Sequence, residues 1–158
     1  MIDLILIRHA HSGPYDQPDK ERQLSLQGME EMILLAQKLK SVHLPSGLWL
    51  CSDAKRTVET ATALRSELGI LGPINLDSCW YQASGPDYVN LIEKQTRPVI
   101  YLVAHNPSIS YVASYYSGTL IQMETGGCCY LRFQYADSPS ELSKGAGDLV
   151  FNFNPQVV

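Results

Sequence analysis

Two histidines and two arginines stand after short apolar runs that are typical of buried strands. Arg8 and His9 follow the run at residues 4–7, and Arg56 and His105 follow two later runs. An imidazole can act as a nucleophile or as an acid–base group, and a guanidinium binds an oxyanion through parallel hydrogen bonds. These residue types therefore suit chemistry on an anionic group.

The elements that must position these four side chains alternate between strand and helix. Apolar runs predict strands at 4–7, 48–50, 73–76 and 99–103. The carboxyl ends of parallel strands meet at one edge of a sheet, so we expect the four side chains to converge there. Helices are predicted where apolar residues recur at three- and four-residue spacing: Leu26, Met29, Ile33, Ala36 and Leu39 behind the N-cap Ser25; Val58, Ala61, Leu64 and Leu68; Tyr88, Leu91 and Ile92; and Ile109, Val112, Ala113 and Tyr116.

The last part of the chain has a different period. Cys129, Leu131 and Phe133 alternate with polar neighbours, and a similar alternation recurs at residues 149–153. This period predicts two final strands that form an antiparallel edge hairpin. We therefore predict an α/β fold, a three-layer α/β/α sandwich with a mainly parallel central sheet and an antiparallel edge, built as a single domain over residues 1–158.

Composition and charge exclude several classes of protein. The 158 residues include 12 Lys and Arg against 16 Asp and Glu, a net charge of −4, and 45% are hydrophobic. This content is too apolar for a disordered chain, and the negative charge argues against general binding to nucleic acid or anionic lipid. No apolar run approaches the roughly 20 residues of a membrane span, and the N-terminus lacks the features of a secretion signal. We expect a cytoplasmic protein.

Each candidate residue has an ordinary structural interpretation when it is taken alone. A histidine after a strand is more often a surface or capping residue, and Arg56 could pair with Glu59 or Glu67 on the surface of its helix. Together, however, cations gathered at strand ends in an acidic protein are costly unless an anion compensates them. A phosphate-sized dianion would do so, which predicts a local anion pocket.

The same residues resemble the signatures of a known family. The pattern is Arg8-His9 after the first strand, Ser52-x-x-x-Arg56-x-x-x-Thr60-Ala61 at the second helix, and His105-Asn106-Pro107 after a later strand. It resembles the histidine phosphatase (phosphoglycerate mutase-like) superfamily. Arg22-x-Leu24-Ser25-x-x-Gly28 and Thr125-Gly126-Gly127 resemble further elements of that family. The short length, which leaves no room for inserted lids, is similar to that of the small phosphohistidine phosphatases of the SixA type.

The resemblance implies a role for each matching residue. His9 would be the nucleophile and would carry a covalent phosphoryl group, while Arg8, Arg22, Arg56 and His105 would bind the phosphate oxygens. Only a neutral imidazole can attack, so we expect the arginines to disfavour a second proton on His9 and a backbone acceptor at Nδ1 to leave Nε2 free. Neither a cofactor nor a metal is implied. Asn106 and His11 are further candidates for the phosphate site.

Two of these assignments have open alternatives. Arg22 stands in a charged stretch that equally suits a solvated loop. His11 could be a phosphate donor or a plain loop residue, because the family more usually has Gly at position 10 and varied polar residues at position 11.

Family members that act on phosphate esters generally add a carboxylic acid that protonates the leaving alkoxide. The candidates here are Asp77, Asp87 and Glu93, of which Asp77 is nearest to the expected strand end, and none lies in a convincing motif. Because an imidazole leaves a phosphoramidate readily without such an acid, its absence favours phosphohistidine as the substrate. The expected partner is therefore a phosphorylated protein, or otherwise a small phosphorylated molecule, presented to an open pocket.

Three other functions are compatible with parts of the pattern. A broad phosphomonoesterase would act on small phosphate esters, and a non-catalytic module would bind phosphate without turnover. A metal hydrolase could use His9, His11 and His105 as ligands, although neighbouring arginines would oppose a dication. The four cysteines, at positions 51, 79, 128 and 129, lack zinc-site spacing and are expected to be reduced core residues.

Overall fold

Six strands form one sheet in the computed structural model, which describes residues 1–156. The order across the sheet is β3-β2-β4-β1-β5-β6. The first four of these strands are mutually parallel, and β5 and β6 run antiparallel to their neighbours. The strands are β1 (Ile2–Arg8), β2 (Leu48–Cys51), β3 (Ile74–Leu76), β4 (Val99–Ala104), β5 (Cys128–Phe133) and β6 (Asp148–Phe153). The predicted mainly parallel sheet with an antiparallel edge is confirmed.

Helices cover both faces of the sheet. They are α1 (Leu26–Leu39), α2 (Lys55–Leu68), α3 (Cys79–Gln82), α4 (Gly85–Glu93) and α5 (Ser108–Ser117), with 3-10 turns at Asp19–Glu21 and Pro139–Glu141. Because alternate residues of a strand point to opposite faces, β1 contributes to two cores. Ile5 and Ile7 pack with α1 and α2, whereas Leu4 and Leu6 pack with α4 and α5. The three layers predicted from the sequence are therefore present.

The buried face of α1 differs from the predicted one. Ser25 caps the helix as expected, since its Oγ accepts the Gly28 N–H at 3.1 Å. However, Leu26, Met29 and Ile33 are 80%, 53% and 55% exposed. The predicted Ala36 and Leu39 are buried, and the helix buries four further residues with them: Gly28, Glu31, Met32 and Leu35. The predicted and the observed sets of residues overlap along α1. Contacts of Gly28 and Glu31 with the loop after β1 determine which side of the helix faces the core.

The strand β5 is buried on both faces, and this also differs from the predicted alternation. It lies between β1 and β6 rather than at the edge, so Cys128 and Tyr130 pack in one core and Cys129 and Leu131 in the other. The four cysteines are free thiols, as expected, and burial raises the pKa of Cys129 to about 12. Within residues 1–156, no helix has the length and apolar character needed to cross a membrane.

Candidate active site

Three adjacent strands deliver the candidate residues to one edge of the sheet. Arg8 ends β1 opposite Ala104 of β4, so His9 and His105 are the next residues on two paired strands. Ser52 follows β2, which pairs with the other side of β4. The His9 and His105 rings consequently lie side by side, with their centroids 5.2 Å apart.

The orientation of the His9 ring is fixed by its own loop. Nδ1 lies 2.8 Å from the carbonyl oxygen of Ala10, so this nitrogen carries the proton and Nε2 keeps its lone pair. The loop itself is held by the Ala10 N–H, which donates to Thr60 Oγ1 on α2 at 3.0 Å, and by the Gly126 N–H, which donates to the His9 carbonyl at 3.0 Å. Nε2 is therefore available at a fixed position, as the sequence led us to expect.

Both histidines are neutral at physiological pH. Burial lowers the pKa of His9 from 6.5 to about 3, and His105, Arg56 and Arg8 reinforce the effect. The pKa of His105 falls to about 4, mainly through burial and then through the charge of Arg56. Ser52 Oγ lies 2.8 Å from His105 Nε2, and it also accepts the Ala54 N–H. Because the Arg56 guanidinium can only donate and its Nη2 faces His105 Nδ1, the His105 proton is assigned to Nε2, which then donates to Ser52 Oγ.

Arg56 spans the space between the two imidazoles. Its guanidinium presents Nε to His9 Nε2 at 3.4 Å and one Nη2 hydrogen to His105 Nδ1 at 3.5 Å. These contacts are long for N–H donors, so the Nε–Nη2 edge is poorly satisfied while it faces two uncharged rings. Such an edge is the one that binds two oxygens of a phosphate or carboxylate in parallel. The arrangement can hold an oxyanion against Nε2 of His9.

Arg8 adds a second donor with unused capacity. Its Nη1 donates to the carbonyl of Met123 at 3.0 Å, but its Nε is buried and has no hydrogen-bond partner within residues 1–156. A buried donor without a partner costs free energy, of the order of 1–3 kcal/mol, which an anion ligand would recover. Burial also lowers the pKa of Arg8.

Arg22 lies at the rim and is held by other groups. Its Nη2 is 2.5 Å from Asp19 Oδ1, and its guanidinium packs over the Tyr15 ring, 4.5 Å from the centroid. Asp19 also contacts Arg56, so the two arginines share one carboxylate. Arg22 is thus near the site through this shared partner, and its predicted contact with phosphate stays a prediction.

The structure engages His11 and Asn106 in hydrogen bonds with residues other than His9, Arg56 and His105. His11 Nδ1 is 2.6 Å from Ser25 Oγ, and its backbone N–H donates to Glu31 Oε1 at 2.7 Å, which ties it to the start of α1. The Asn106 amide donates to the Met123 carbonyl at 3.2 Å and accepts from Ser110. Both side chains are occupied in holding loops, which favours the structural interpretation for each.

The candidate acids are likewise engaged elsewhere. The Asp77 carboxylate accepts the Cys79 N–H at 2.9 Å, and this hydrogen bond lowers the pKa of Asp77. Asp87 lies in the first turn of α4, and Glu93 accepts a hydrogen bond from Tyr116 at 3.0 Å. A carboxyl with a lowered pKa is a poor proton donor at neutral pH, so the geometry disfavours Asp77 as a general acid.

Two acidic neighbours of the site, Asp19 and Glu31, were not predicted from the sequence. Asp19 contacts Arg56, and Tyr81 on α3 donates to Asp19 and meets the His105 ring edge-on at 5.4 Å. Glu31, which is buried, accepts from the His11 N–H and from Thr125 Oγ1 at 2.7 Å, joining the loops on either side of Arg8. The acidic residues stand in helical or charged stretches where surface positions are the usual expectation. The one usable signal in the sequence was the three-residue spacing between Asp19 and Arg22, which is typical of a local ion pair.

A glycine at position 28 is required by the same packing. An ideal Cβ built on Gly28 would lie 2.1 Å from the carbonyl oxygen of His11. That carbonyl accepts the Ser25 N–H at 3.0 Å, so the N-terminus of α1 and the loop after β1 meet backbone to backbone. The pair Ser25-x-x-Gly28 in the sequence thus reflects the docking of α1 beside the site.

Comparison with known proteins agrees with this arrangement. Residues 4–82, half of the chain, match the sequence model of the histidine phosphatase superfamily (branch 1). The chain belongs to the histidine phosphatase superfamily. The matched stretch of this histidine phosphatase family member includes Arg8, His9, Arg22 and Arg56, while His105 lies beyond it.

Individual relatives are more distant. The chain is 31% identical over 142 residues to an uncharacterized chloroplastic protein of Arabidopsis thaliana, covering 82% of this chain and 65% of that protein. It therefore spans less than two thirds of the length of the curated relative that it matches.

Solved structures share the fold at low identity. A candidate phosphohistidine phosphatase SixA from Nakamurella multipartitia has a TM-score of 0.82 at 18% identity, covering 99% of this chain and 97% of that one. A protein histidine phosphatase SixA complexed with tungstate has a TM-score of 0.80 at 16% identity and 97% coverage of both chains. The phosphoserine phosphatase of Entamoeba histolytica has a TM-score of 0.60 at 15% identity, covering 99% of this chain and 98% of that one. At these identities the likeness establishes the fold alone.

Proposed function

We propose that this protein is a metal-independent phosphatase that hydrolyses phosphohistidine on a protein through a covalent phosphoryl group on His9. The observation that carries the proposal is the neutral His9 ring, whose Nε2 faces the poorly satisfied edge of Arg56 at 3.4 Å. A nucleophile with a free lone pair beside a guanidinium fork is what phosphoryl transfer to nitrogen requires. The proposal assigns the catalytic and phosphate-binding roles to the residues predicted from the sequence: Arg8, His9, Arg56 and His105.

In the first step, Nε2 of His9 attacks phosphorus in line with the leaving group. The P–N bond of the substrate breaks, and the departing imidazole leaves neutral once its other ring nitrogen has taken a proton from solvent. The Nε–Nη2 edge of Arg56 and the guanidinium of Arg8, whose Nε has no partner within residues 1–156, would bind the non-bridging oxygens, where negative charge must be stabilised. The bound dianion would also favour a proton on His105 Nδ1, which would add a further donor.

In the second step, water attacks the phosphoryl group on His9. The bond between phosphorus and Nε2 breaks, inorganic phosphate leaves, and the neutral ring is restored. The hydrogen bond from Nδ1 to the Ala10 carbonyl keeps the ring in one tautomer throughout, so that the same nitrogen attacks and departs. The arginines act as fixed charges in both steps, because a guanidinium does not give up its proton in a protein.

The choice of phosphohistidine over a phosphate ester depends on the state of the local carboxylates. Asp19, which contacts the site, is kept ionised because Tyr81, Arg56 and Arg22 hydrogen-bond to it and hold its pKa well below the usual range. Asp77 accepts a hydrogen bond from the N–H of Cys79, the first residue of α3, and also has a lowered pKa. An alkoxide needs a proton from such a group, whereas the imidazole of a phosphohistidine does not.

The proposal is tested with a peptide phosphorylated on histidine, with phosphoserine and p-nitrophenyl phosphate as ester substrates. We expect rapid release of phosphate from the phosphohistidine peptide, a His9→Ala variant without turnover, and full activity in the presence of EDTA. His43→Ala, which removes an exposed histidine after α1, is the matched control and should behave as the wild type. Acid-quenched reactions at high enzyme concentration should trap a phosphoryl group on the wild type.

Each alternative function has its own signature in the same assay. Faster turnover of the esters would favour a broad phosphomonoesterase, and loss of activity with EDTA would favour a metal hydrolase. Binding of phosphate without labelling of His9 would indicate a non-catalytic module. Turnover by His9→Ala equal to the wild type would overturn the covalent mechanism.

The cytoplasmic location is likewise a proposal. The name of the Arabidopsis relative assigns that protein to the chloroplast, so the compartment of this protein is best determined directly by imaging a C-terminally tagged full chain. A tagged protein that concentrates in an organelle would overturn the cytoplasmic assignment.

A further inference from the structure

We infer that Asp19 is a positioning residue that braces Arg56 from outside the pocket and thereby sets the angle of its phosphate-binding edge. The inference rests on the proposed function, and it assigns to the 3-10 turn Asp19–Glu21 a part in the reaction. Asp19 does not need to touch the substrate for this role. It acts through the guanidinium that does.

The two edges of the Arg56 guanidinium have different partners. On the outer edge, Nη1 donates to the Asp19 carbonyl at 2.7 Å and Nη2 donates to Asp19 Oδ2 at 3.1 Å. On the inner edge, Nε and the other Nη2 hydrogen face His9 and His105 at 3.4 and 3.5 Å. The short contacts are therefore all on the outer side, and one residue supplies both of them.

Arg56 needs such a brace because its side chain has four rotatable bonds. The side chain is only 7% exposed, but its inner edge makes contacts that are too long to fix its orientation. A planar fork held by two parallel hydrogen bonds cannot rotate without breaking one of them. Asp19 thus determines where the opposite edge points, and that edge lies against the Nε2 that attacks.

Asp19 is itself fixed from two further directions. Arg22 contacts Oδ1 at 2.5 Å, and the Tyr81 hydroxyl donates to Oδ2. The carboxylate is about half exposed, yet it joins the turn at residues 19–21 to α2 through Arg56 and to α3 through Tyr81. This network explains how a residue on a surface turn can hold a buried arginine in one orientation.

A different role for Asp19, as an internal competitor that blocks phosphate, does not fit these contacts. A competitor would occupy the edge of Arg56 that faces His9, whereas Asp19 occupies the opposite edge. The two roles also predict opposite results. Removing a competitor speeds the reaction, and removing a brace slows it.

The test measures the single-turnover rate of His9 phosphorylation and, separately, the Kd for tungstate, in the full chain carrying Asp19→Ala or Asp19→Asn. A misplaced catalytic group can cost up to about 100-fold in rate, so we expect Asp19→Ala to lower the rate at least about 10-fold. The Kd for tungstate should change less than about 3-fold, because the loss of a nearby negative charge offsets the poorer fit. Asp19→Asn, which keeps one acceptor, should recover part of the rate.

Two comparisons separate positioning from a merely structural effect. Asp16→Asn, which removes an exposed carboxylate from the same loop, should match the wild type in rate and Kd. In an Arg56→Lys background there is no fork left to orient, so Asp19→Ala should cost less than about 2-fold further. A general loss of folding would instead lower the rate and the amount of bound tungstate together. Both would fall in proportion to the fraction of unfolded protein in the assay, which follows from the free energy of unfolding measured in urea.

Several results would overturn the inference while leaving the proposed function intact. They are an Asp19→Ala rate equal to or above that of the wild type, a cost in the Arg56→Lys background as large as in the wild type, and a parallel loss of rate and tungstate affinity. If the wild type itself failed to phosphorylate His9, the proposed function would fail instead. The same series of proteins therefore distinguishes the two failures.

Discussion

The two buried neutral histidines predict a specific loss of stability in mild acid. An unfolded histidine has a pKa near 6.5, whereas folded His9 has a pKa of about 3. Between these values the unfolded chain binds a proton that the folded protein cannot. The free energy of unfolding must therefore fall as the pH drops below 6.5, and the fall continues until the pH reaches the folded pKa.

The size of the effect follows from the shift. At pH 5 the gap from 6.5 is 1.5 pH units, and at about 1.36 kcal/mol per unit the His9 contribution is about 2 kcal/mol. His105, with a folded pKa of about 4, contributes a similar amount at this pH. Neither group contributes above pH 7.5, where both states are neutral. The His9→Asn variant keeps an N–H that can donate to the Ala10 carbonyl but has no titrating ring.

The assay is urea unfolding of the wild type and His9→Asn at pH 7.5 and pH 5.0, in buffers without phosphate or sulfate. We expect the wild type to lose about 2 kcal/mol more than the variant between the two pH values, because any pH-independent cost of the substitution cancels in the difference. Equal losses in the two proteins would refute the reasoning, since they would mean that His9 ionises with the same pKa in both states. Added tungstate should reduce the difference, because a bound anion favours the protonated ring.

Three further outcomes are expected. Arg56→Lys should lower kcat/KM for a phosphohistidine peptide by about 100-fold, because lysine cannot donate two parallel hydrogen bonds. Arg65→Lys, on the same helix, should match the wild type. Equal effects of the two substitutions would contradict the role proposed for the Arg56 guanidinium. Gly28→Ala should lower the free energy of unfolding, measured in urea, by at least about 2 kcal/mol, because the added Cβ would meet a backbone carbonyl. Gly13→Ala is the control, since its Cβ would meet nothing within 4 Å, and it should leave the free energy of unfolding unchanged. Asp77→Asn should leave phosphohistidine turnover within about 2-fold of the wild type, and a large loss would restore Asp77 as the acid.

The part of the site that lies directly after strands could be predicted from the sequence. Arg8, His9 and His105 follow apolar runs that are typical of buried strands, and the carboxyl ends of parallel strands meet at one edge of a sheet whatever the loops between them. Arg56 could be included because it stands in the first turn of α2, close behind β2. The strand order was not needed for this prediction, only the direction of the strands.

Features that depend on how loops and helices meet could not be predicted in this way. The contact between Asp19 and Arg56 joins residues 37 positions apart, and no local pattern specifies it. The inward face of α1 was predicted correctly at Ala36 and Leu39 but wrongly in the first half of the helix, because two apolar sets overlap there. The helix α3 was missed because four residues are too few to show a period.

The position of β4 in the sheet also determines when the candidate site can form during synthesis of the chain. β4 lies between β1 and β2 and pairs with both, although residues 99–104 are made long after the strands that it separates. Until β4 leaves the ribosome, β1 and β2 lack their common neighbour, and His105, the residue after β4, cannot join His9 and Arg56. A nascent chain therefore cannot form the pocket piece by piece, and His9 stays separated from the completed candidate site until most of the sheet has left the ribosome.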